Sequence, residues 1–375
     1  MAKYRIGIEC EEIESKNPSW GVGKMLSRLL EEISKKKELE DQFKFILYFK
    51  DSIPDLPYLN SPVFEKKTTP VPFFPHRLFP IYYFALLPVR LWFEKLDAMY
   101  WPKYMLPVIS LENSLVVLTE DVYYETFEGN LPFRYRLSYA IFSRWAAVFA
   151  KKIMVISETS KRNVSKLFKI DEKRISVNHL GIDVRENINF VQPTEKYILY
   201  VGQAFPRRHL KETMLAFEKI HGQFPDLKLI AVGPDKYDAK TIAQLAKDVN
   251  SRIGCEAISH ANYVSDGELL KLYVGASSLI YVSDREAFGL PPMEALSFGV
   301  APVVADNELG HELFEDYAFY AANNTVDGIA GAIVQSLTDS SRREKIKTDG
   351  PQFAGRYSWK RFADNWLNII RSMVK

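Results

Sequence analysis

Short apolar runs alternate with amphipathic segments along the whole chain. Runs typical of buried strands occupy residues 4–9, 44–49, 115–118, 152–157, 197–201, 228–232, 278–282 and 302–305. Between them, apolar residues recur at helical spacing, as in Met25, Leu26, Leu29, Leu30 and Ile33. Repeated alternation of strands and helices predicts parallel sheets with helices on both faces. Because each half of the chain shows this pattern, we expect two such sheets.

A polar, irregular stretch separates the two halves. It begins at Gly181 and continues to Glu195. Ligands of open α/β sheets bind beyond the carboxyl ends of the strands. A two-domain chain of this kind is therefore expected to hold its ligand in the cleft between the domains.

Composition narrows the classes of function. The 375 residues suffice for two domains, and 49 Lys and Arg against 47 Asp and Glu leave a net charge of only +2. That balance gives no argument for nucleic acid as a partner. Cys10 and Cys255 form no disulfide or metal pattern, which favours a reducing compartment. With no signal-peptide core and no apolar stretch of roughly 18 residues, we expect a cytoplasmic protein, soluble or peripheral to a membrane.

Residues 284–296 carry the strongest indication of chemistry. A strand leads into them, and Pro291 and Pro292 stand where a helix would begin. Glu286 then falls on the turn between strand and helix, and Glu294 falls in the first helical turn. Two carboxylates beside a helix N-terminus suit a polyhydroxyl ligand, because each accepts from neighbouring hydroxyls. The amides between them, which favour oxygen-rich ligands, belong to Phe288, Gly289 and Leu290.

Glu286 and Glu294, with seven residues between them around Phe-Gly-Leu-Pro, resemble the acidic motif of glycosyltransferase family 4. The segment from Ser297 to Ala305 is also similar to that family. The resemblance implies a retaining enzyme that uses a nucleotide-diphosphate sugar and has the α/β GT-B fold, in which two Rossmann-like domains face each other across a cleft. It implies domains at 1–185 and 186–358, with the last helix at 359–375 packing back on the first domain. It implies neither a metal nor a cofactor.

The resemblance assigns further site residues in the first half. Gly21, Val22 and Gly23 precede the first predicted helix and match the family's glycine-rich phosphate loop, although a capping turn is the simpler interpretation. Position 26 is Leu, so the dinucleotide fingerprint fails and a Rossmann dehydrogenase is disfavoured. Asp121 fits the family's His-Asp pair near the donor sugar, but Glu120 stands where the His would be. An ionised Glu120 accepts hydrogen bonds and cannot donate as imidazole does.

In the second half, the cations after the strand at 197–201 are expected to bind the donor diphosphate. Gly202 ends that strand, and Arg207 and Arg208 follow it before a helix, with Arg208 matching the family's lysine. Backbone groups at Val264 match the edge that contacts the nucleobase. The resemblance gives Glu286 the hydroxyls of the hexose and Glu294 the ribose.

The partners follow from the same resemblance. The pattern is similar to surface-polysaccharide mannosyltransferases that use GDP-mannose, and UDP-sugars remain open as donors. The acceptor is expected to be a glycan or a lipid-linked sugar. Residues 73–96 combine many aromatic side chains with Arg and Lys, which suits a core and, in part, a lipid interface at the inner face of a membrane.

Two other functions fit parts of the pattern. Asp284, Arg285 and Glu286 after a strand could mimic the acidic metal triplet of a metal-dependent GT-A transferase. A nucleotide-sugar-binding or scaffold protein without catalytic activity would tolerate Glu120 in place of His. The predicted catalytic set, under the enzyme hypothesis, is Glu286, Arg208, Glu120 and Asp121.

Overall fold

The computed structural model describes residues 3–14, 21–69, 82–107, 113–127, 133–183, 195–237 and 241–374. The chain divides into two compact units. The first unit comprises Met1–Gly181 together with Trp359–Lys375, and the second comprises Ile182–Ser358. The boundary predicted between 185 and 186 lies outside the described residues.

The first unit is built on a parallel sheet in the strand order β3-β2-β1-β4-β5-β6-β7. Its strands are β1 Tyr4–Glu9, β2 Phe43–Phe49, β3 Phe64–Thr68, β4 Ala98–Trp101, β5 Ser114–Val117, β6 Lys152–Val155 and β7 Ile175–Val177. Its α-helices are Gly21–Ser34, Leu87–Glu94, Glu120–Phe127, Phe133–Phe149, Glu158–Phe168 and Trp359–Val374. A π-helical turn covers Tyr82–Leu86, and short 3₁₀ turns cover Glu11–Ile13, Lys37–Asp41, Pro57–Asn60 and Glu172–Arg174.

The two faces of this sheet bury different helices. On one face, alternate strand residues such as Tyr48, Trp101 and Val155 pack with the helices Leu87–Glu94 and Phe133–Phe149. On the other face, Phe45 and Tyr100 pack against Trp366 of the last helix. This division follows from strand geometry, in which neighbouring side chains point to opposite faces.

The second unit contains a parallel sheet in the order β10-β9-β8-β11-β12-β13. Its strands are β8 Tyr197–Val201, β9 Lys228–Val232, β10 Ile258–Ala261, β11 Ser278–Tyr281, β12 Pro302–Ala305 and β13 Phe319–Ala321. Its helices are Leu210–His221, Thr241–Ile253, Asp266–Gly275, Leu290–Ser297, Glu308–Phe314, Val326–Thr338 and Ser340–Ala354, with a 3₁₀ turn at Pro206–Arg208.

The prediction of two parallel sheets is confirmed, but several strand ends were wrong. The strand predicted at 152–157 ends at Val155, because the Ser157 side chain caps the next helix by accepting from the Ser160 amide at 3.0 Å. The run at 115–118 is shifted to Ser114–Val117, and the run at 278–282 ends at Tyr281. Strands β3, β4, β7, β10 and β13 were not predicted from the sequence.

The described residues bear on two expectations from the sequence, namely those about a membrane-spanning segment and about a bound metal. Within the described part of the chain, no helix has both the length and the apolarity needed to cross a bilayer. The same described residues contain no group of three or more His, Cys, Asp and Glu side chains arranged to hold a metal ion.

Candidate active site

The strand order of the second sheet positions the candidate site. From β8 the chain continues to β9 on one side, whereas from β11 it continues to β12 on the other side. The loops leaving β8 and β11 therefore part at the carboxyl ends of two adjacent strands, and such switch points are where open α/β sheets bind ligands. The first loop carries Gly202 and Arg208, and the second carries Glu286.

Arg208 and Glu286, predicted separately from the sequence, form a direct ion pair. Arg208 Nε donates to Glu286 Oε1 at 2.6 Å, and Arg208 Nη2 donates to Oε2 at 3.1 Å. Each side chain is only 15% exposed. Such a two-bond contact fixes the plane of the guanidinium as well as its position.

Neighbouring groups hold both partners. The Ser283 hydroxyl donates to Glu286 Oε1 at 3.2 Å, and Arg208 Nη1 donates to the Gln203 carbonyl at 3.2 Å. The guanidinium carbon of Arg208 lies 5.3 Å from the centre of the Tyr281 ring and 5.7 Å from that of Phe205. Burial acts to lower the pKa of Arg208, but Tyr281 and Glu286 raise it, and the net shift is upward. Arg208 is thus a permanent, oriented cation.

Gly202 leaves room for this cation. Its φ of +139° lies in a region that favours glycine, and a Cβ there would stand 3.3 Å from Arg208 Nη1 and 3.4 Å from the Tyr281 ring. Gly202 thus lies beside Arg208, and its predicted contact with the donor stays a prediction.

A second set of hydrogen bonds ties the two loops together. The Asp284 amide donates to the Arg207 carbonyl at 2.9 Å, and His209 Nε2 lies 2.8 Å from Asp284 Oδ1. Asn324 Nδ2 donates to the same Asp284 oxygen at 2.7 Å. The Glu212 carboxylate, whose Oε2 lies 3.4 Å from His209 Nδ1, is the largest cause that raises the pKa of His209, and Asp284 adds to it. From the sequence, Asp284 was named as part of the acidic triplet of the metal-dependent alternative, whereas His209 and Asn324 were not predicted as site residues.

Arg207 differs from Arg208 in its surroundings. Its guanidinium lies over the Phe205 ring, 4.6 Å from the ring centre, and its Nε donates to the Arg285 carbonyl at 3.4 Å. The structure therefore separates the roles of the two arginines, since only Arg208 makes the carboxylate contact described above.

The helix after β11 begins at the prolines, as the sequence predicted, but Glu294 lies just beyond its first turn and not within it. It spans Leu290–Ser297, has prolines in its first turn, and is preceded by Gly289 at a φ of +107°. A small pocket lies beside this turn, and its walls include Glu286, Phe288, Gly289 and Asn307. Phe288 is buried, and its ring lies edge-on to that of Tyr357 with the ring centres 5.6 Å apart.

Glu294 and Val264 lie further from the ion pair along the chain. Glu294 accepts a hydrogen bond from the Tyr273 hydroxyl at 2.9 Å, and this contact orients its carboxylate. Val264 precedes the helix Asp266–Gly275, which begins with a capping box between Ser265 and Glu268. Their predicted contacts with the ribose and the nucleobase stay predictions.

The remaining predicted site residues belong to the first unit. Gly21 and Gly23 do not precede the first helix, as the sequence suggested, because the helix spans Gly21–Ser34 and contains them together with Val22. Gly21 has a φ of +58°, and Gly23 is buried. Their amides belong to the first helical turn, where amides lack partners within the helix.

Glu120 and Asp121 begin the helix Glu120–Phe127, directly after β5. Glu120 is 4% exposed and accepts hydrogen bonds from Ser160 Oγ at 2.6 Å and from Asn163 Nδ2 at 3.3 Å. Burial raises the pKa of Glu120. Asp121, in contrast, is exposed. The structure therefore anchors Glu120 to the helix Glu158–Phe168 and leaves Asp121 accessible.

Comparisons with known proteins place these geometries in a family. Residues 183–353 match the family model described as "Glycosyl transferases group 1". The O-antigen chain mannosyltransferase B of Escherichia coli is 30% identical over 238 residues, which cover 59% of this chain and 61% of that protein. The O-antigen chain mannosyltransferase RfbU of Salmonella typhimurium is 27% identical over 224 residues, which cover 58% and 59%. The matches thus span about three fifths of these relatives.

A solved structure extends the likeness to both units. The sucrose-phosphate synthase of Thermosynechococcus elongatus aligns over 99% of each chain with a TM-score of 0.72 and 15% sequence identity. At that identity the alignment shows the fold alone, and it confirms the predicted GT-B class with two Rossmann-like units. The family resemblance carried by Glu286 and Glu294 is also confirmed, since both lie within residues 183–353, which match the glycosyl transferases group 1 model.

Proposed function

We propose that this protein is a retaining glycosyltransferase that moves a hexose from a nucleotide-diphosphate sugar to a glycan or lipid-linked acceptor in polysaccharide biosynthesis. The Arg208–Glu286 pair at the switch point of the second sheet carries the proposal. It combines a fixed cation for phosphate with a carboxylate for sugar hydroxyls, which are the two recognition elements such a donor requires.

Arg208 retains donors for a phosphate group. A guanidinium has five N–H bonds, of which three are used towards Glu286 and Gln203. The other two are proposed to bind the donor diphosphate. As the bond between the sugar and the phosphate breaks, negative charge grows on the leaving diphosphate. A cation already held in place stabilises that charge without reorganisation.

Glu286 is proposed to have two roles. It holds the guanidinium through both carboxylate oxygens, and these oxygens retain further lone pairs for hydroxyls of the hexose. The amides of Phe288, Gly289 and Leu290, beside the start of the helix Leu290–Ser297, add neutral donors for the ligand. Because the positive charge comes from Arg208, we propose that turnover needs no divalent metal.

The other assignments follow the family resemblance. We propose that the amides of Gly21, Val22 and Gly23 bind phosphate, that Arg207 adds positive charge, and that Glu294 and Val264 hold the nucleoside. Glu120 and Asp121 are proposed to act on the acceptor, and retention of the sugar's configuration is proposed with them. Two relatives carry the name mannosyltransferase, which supports GDP-mannose as the donor.

Thermal unfolding with GDP-mannose, a UDP-sugar and an ADP-sugar tests the donor. A ligand at 100 times its Kd stabilises the folded state by about 2.7 kcal/mol, so we expect a clear rise in Tm with GDP-mannose and smaller shifts with the other two. A larger rise in Tm with a UDP-sugar would show that the donor carries uracil instead of guanine. If none of the three raises Tm, the proposed donor class is wrong.

Turnover separates the enzyme from its alternatives. We expect transfer or slow hydrolysis of the donor that binds, unchanged by a chelator of divalent cations. Binding without any transfer or hydrolysis would identify a nucleotide-sugar-binding protein instead. Loss of turnover in the chelator would favour metal-assisted chemistry of the GT-A type.

A further inference from the structure

Two helices of the first unit expose large apolar side chains on the same side of its sheet. On the helix Leu87–Glu94, Val89, Trp92 and Phe93 are exposed, the last at 79%. On the helix Phe133–Phe149, the exposed apolar side chains are Phe133, Leu137, Ile141, Val148 and Phe149. We name these eight side chains the outer apolar face.

The outer apolar face carries a regular stripe of exposed apolar side chains. Phe133, Leu137 and Ile141 recur every four residues and so form one stripe along their helix. The opposite side of the same helix is apolar as well, because Phe142, Ala146 and Ala147 are buried in the core. Apolar side chains therefore occupy two sides of this helix, and the core covers the side that carries Phe142, Ala146 and Ala147. Contiguous exposed apolar surface marks an interaction site.

The two helices present their outer sides in a common direction. Leu87 and Leu91 of one helix and Phe142 and Ala146 of the other belong to a single core cluster on one face of the sheet. Both helices therefore cover the same face of the sheet, and their exposed side chains lie on the side of the helices opposite the sheet. A flat surface larger than either helix can contact both.

Charge selects the kind of surface that fits. The helix Phe133–Phe149 contains Arg134, Arg136 and Arg144 and has no carboxylate in its sequence. The helix Leu87–Glu94 contains Arg90 and one carboxylate, Glu94, and is followed by the exposed Lys95.

The carboxylate of Glu94 is itself neutralised. Lys67 Nζ lies 2.5 Å from Glu94 Oε2, and Arg5 Nη2 lies 3.1 Å from the same oxygen. The two helices therefore combine apolar and aromatic side chains with a net positive charge.

We propose that the outer apolar face docks on the surface of a bilayer that contains anionic lipids. Trp and Phe side chains insert at the boundary between headgroups and acyl chains, and arginines pair with lipid phosphates. Aromatic residues at 73–96 suggested a lipid interface from the sequence. The structure places Tyr82 and Tyr83 of that segment in the core and Trp92 and Phe93 outside, whereas residues 73–81 lie outside the described part. The helix Phe133–Phe149 is the larger contributor and was not predicted.

Vesicle flotation with the full chain tests the proposal independently of any enzyme activity. We expect the protein to float with vesicles of phosphatidylcholine and phosphatidylglycerol, less with phosphatidylcholine alone, and less at high salt. The double variant Leu137→Glu/Ile141→Glu should weaken binding by about tenfold or more, since two inserted side chains become charged. Arg144→Glu should also weaken it, and only on the anionic vesicles.

Ile53→Glu is the matched control. Ile53 is also an exposed apolar residue of the first unit, at 40%, and lies outside the outer apolar face. The Ile53→Glu variant should bind vesicles as the wild type does. Circular dichroism checks that all variants are folded. Equal losses in the double variant and the control would overturn the proposal, as would a wild type that binds neither vesicle. If the wild type binds no vesicle but forms a dimer that the double variant disrupts, the face is instead an interface between copies.

Discussion

Arg208 and Glu286 are residue types that are common on protein surfaces, but here they form an ion pair that is largely buried from solvent. The same charges on a solvated face would contribute little, because water and salt screen them. Here Tyr281, Phe205 and Ser283 surround the pair and leave each side chain 15% exposed. The orientation of the guanidinium is therefore set before any ligand binds.

Replacement of Arg208 should separate catalysis from folding. We expect Arg208→Ala to lower transfer by roughly 10²–10³, the usual effect of losing one charge-stabilising donor. Arg208→Lys should recover only part of this loss, because an ammonium cannot make the planar two-bond contact with Glu286. Steady-state rates at saturating donor measure both effects.

Arg252→Ala is the control for Arg208, since Arg252 also pairs with a glutamate of the second unit, Glu218, but at an exposed position. Its transfer rate should equal that of the wild type. Circular dichroism identifies any Arg208 variant that has lost its structure. A folded Arg208→Ala protein with unchanged turnover would remove Arg208 from the mechanism.

Glu9, at the end of β1, is a second informative carboxylate. It is fully buried, and its Oε1 accepts from the Glu11 amide at 2.8 Å, whereas Oε2 has no hydrogen-bond partner among the described residues. Burial raises the pKa of Glu9 to about 7, although the nearby Lys103 acts in the opposite direction. Glu9 belongs to none of the motifs identified in the sequence.

The raised pKa of Glu9 makes stability depend on pH. The folded protein keeps the Glu9 proton up to about pH 7, whereas the unfolded chain releases it near pH 4.5. Stability from this group is therefore present at low pH and falls as pH rises through that window, by about 3 kcal/mol. The Glu9→Gln variant has no such proton to lose. The difference between its unfolding free energy and that of the wild type should therefore shift in favour of the variant as pH rises from 4 to 8, as measured by urea titrations. Curves that stay parallel across this range would contradict the assigned pKa.

At the scale of elements, the last helix is a structural part of the first unit. Trp366 packs between two strands of that sheet, with its ring centre 5.9 Å from Phe45 and 5.3 Å from Tyr100. Polar contacts fix the same helix, since Lys36 pairs with Asp364 at 2.7 Å and Asn178 Nδ2 donates to the Phe362 carbonyl at 3.1 Å. The helix thus covers one face of the sheet instead of trailing from the second unit.

Truncation of Trp366 should destabilise the protein through the first unit. We expect Trp366→Ala to lower the unfolding free energy by about 3–5 kcal/mol, because a fully buried aromatic side chain leaves a cavity. Trp92→Ala removes the same side chain from a position that is 62% exposed, and should change stability by less than about 1 kcal/mol. Guanidinium titrations compare the two. Similar losses in both variants would show that burial in the sheet face is not what holds the last helix.

The elements also show how far sequence reasoning reaches. The longer apolar strands and the helix at Leu290–Ser297 were predictable, because their periodicity and prolines are local signals. β3 was not, since its sequence FEKKT is mostly polar and its place is fixed by pairing with β2. The exposed stripe of the helix Phe133–Phe149 could not be predicted from the sequence. Apolar residues occur on both sides of this helix, so its pattern does not separate a buried side from an exposed one.

For the whole molecule, the fold class was predictable and the details of the candidate site were less so. The acidic motif and the two arginines named two loops that meet in the structure, but the contact between Arg208 and Glu286 joins residues 78 positions apart. His209 and Asn324 were missed for the same reason, since their contacts with Asp284 exist only after the loops from β8 and β11 come together. Local patterns cannot report such distant pairings.

The chain's route through its two units has a consequence for how the protein is made. Because the first unit takes residues from both ends of the chain, the second unit is an insertion within it. The points of entry and exit are joined, as the Ile182 amide donates to the Tyr357 carbonyl at 2.9 Å. During synthesis, the inserted unit can fold as soon as it leaves the ribosome, whereas its host waits with one sheet face bare until residues 359–374 emerge. The part translated first is thus completed last, and until then it exposes apolar surface of the kind that chaperones bind.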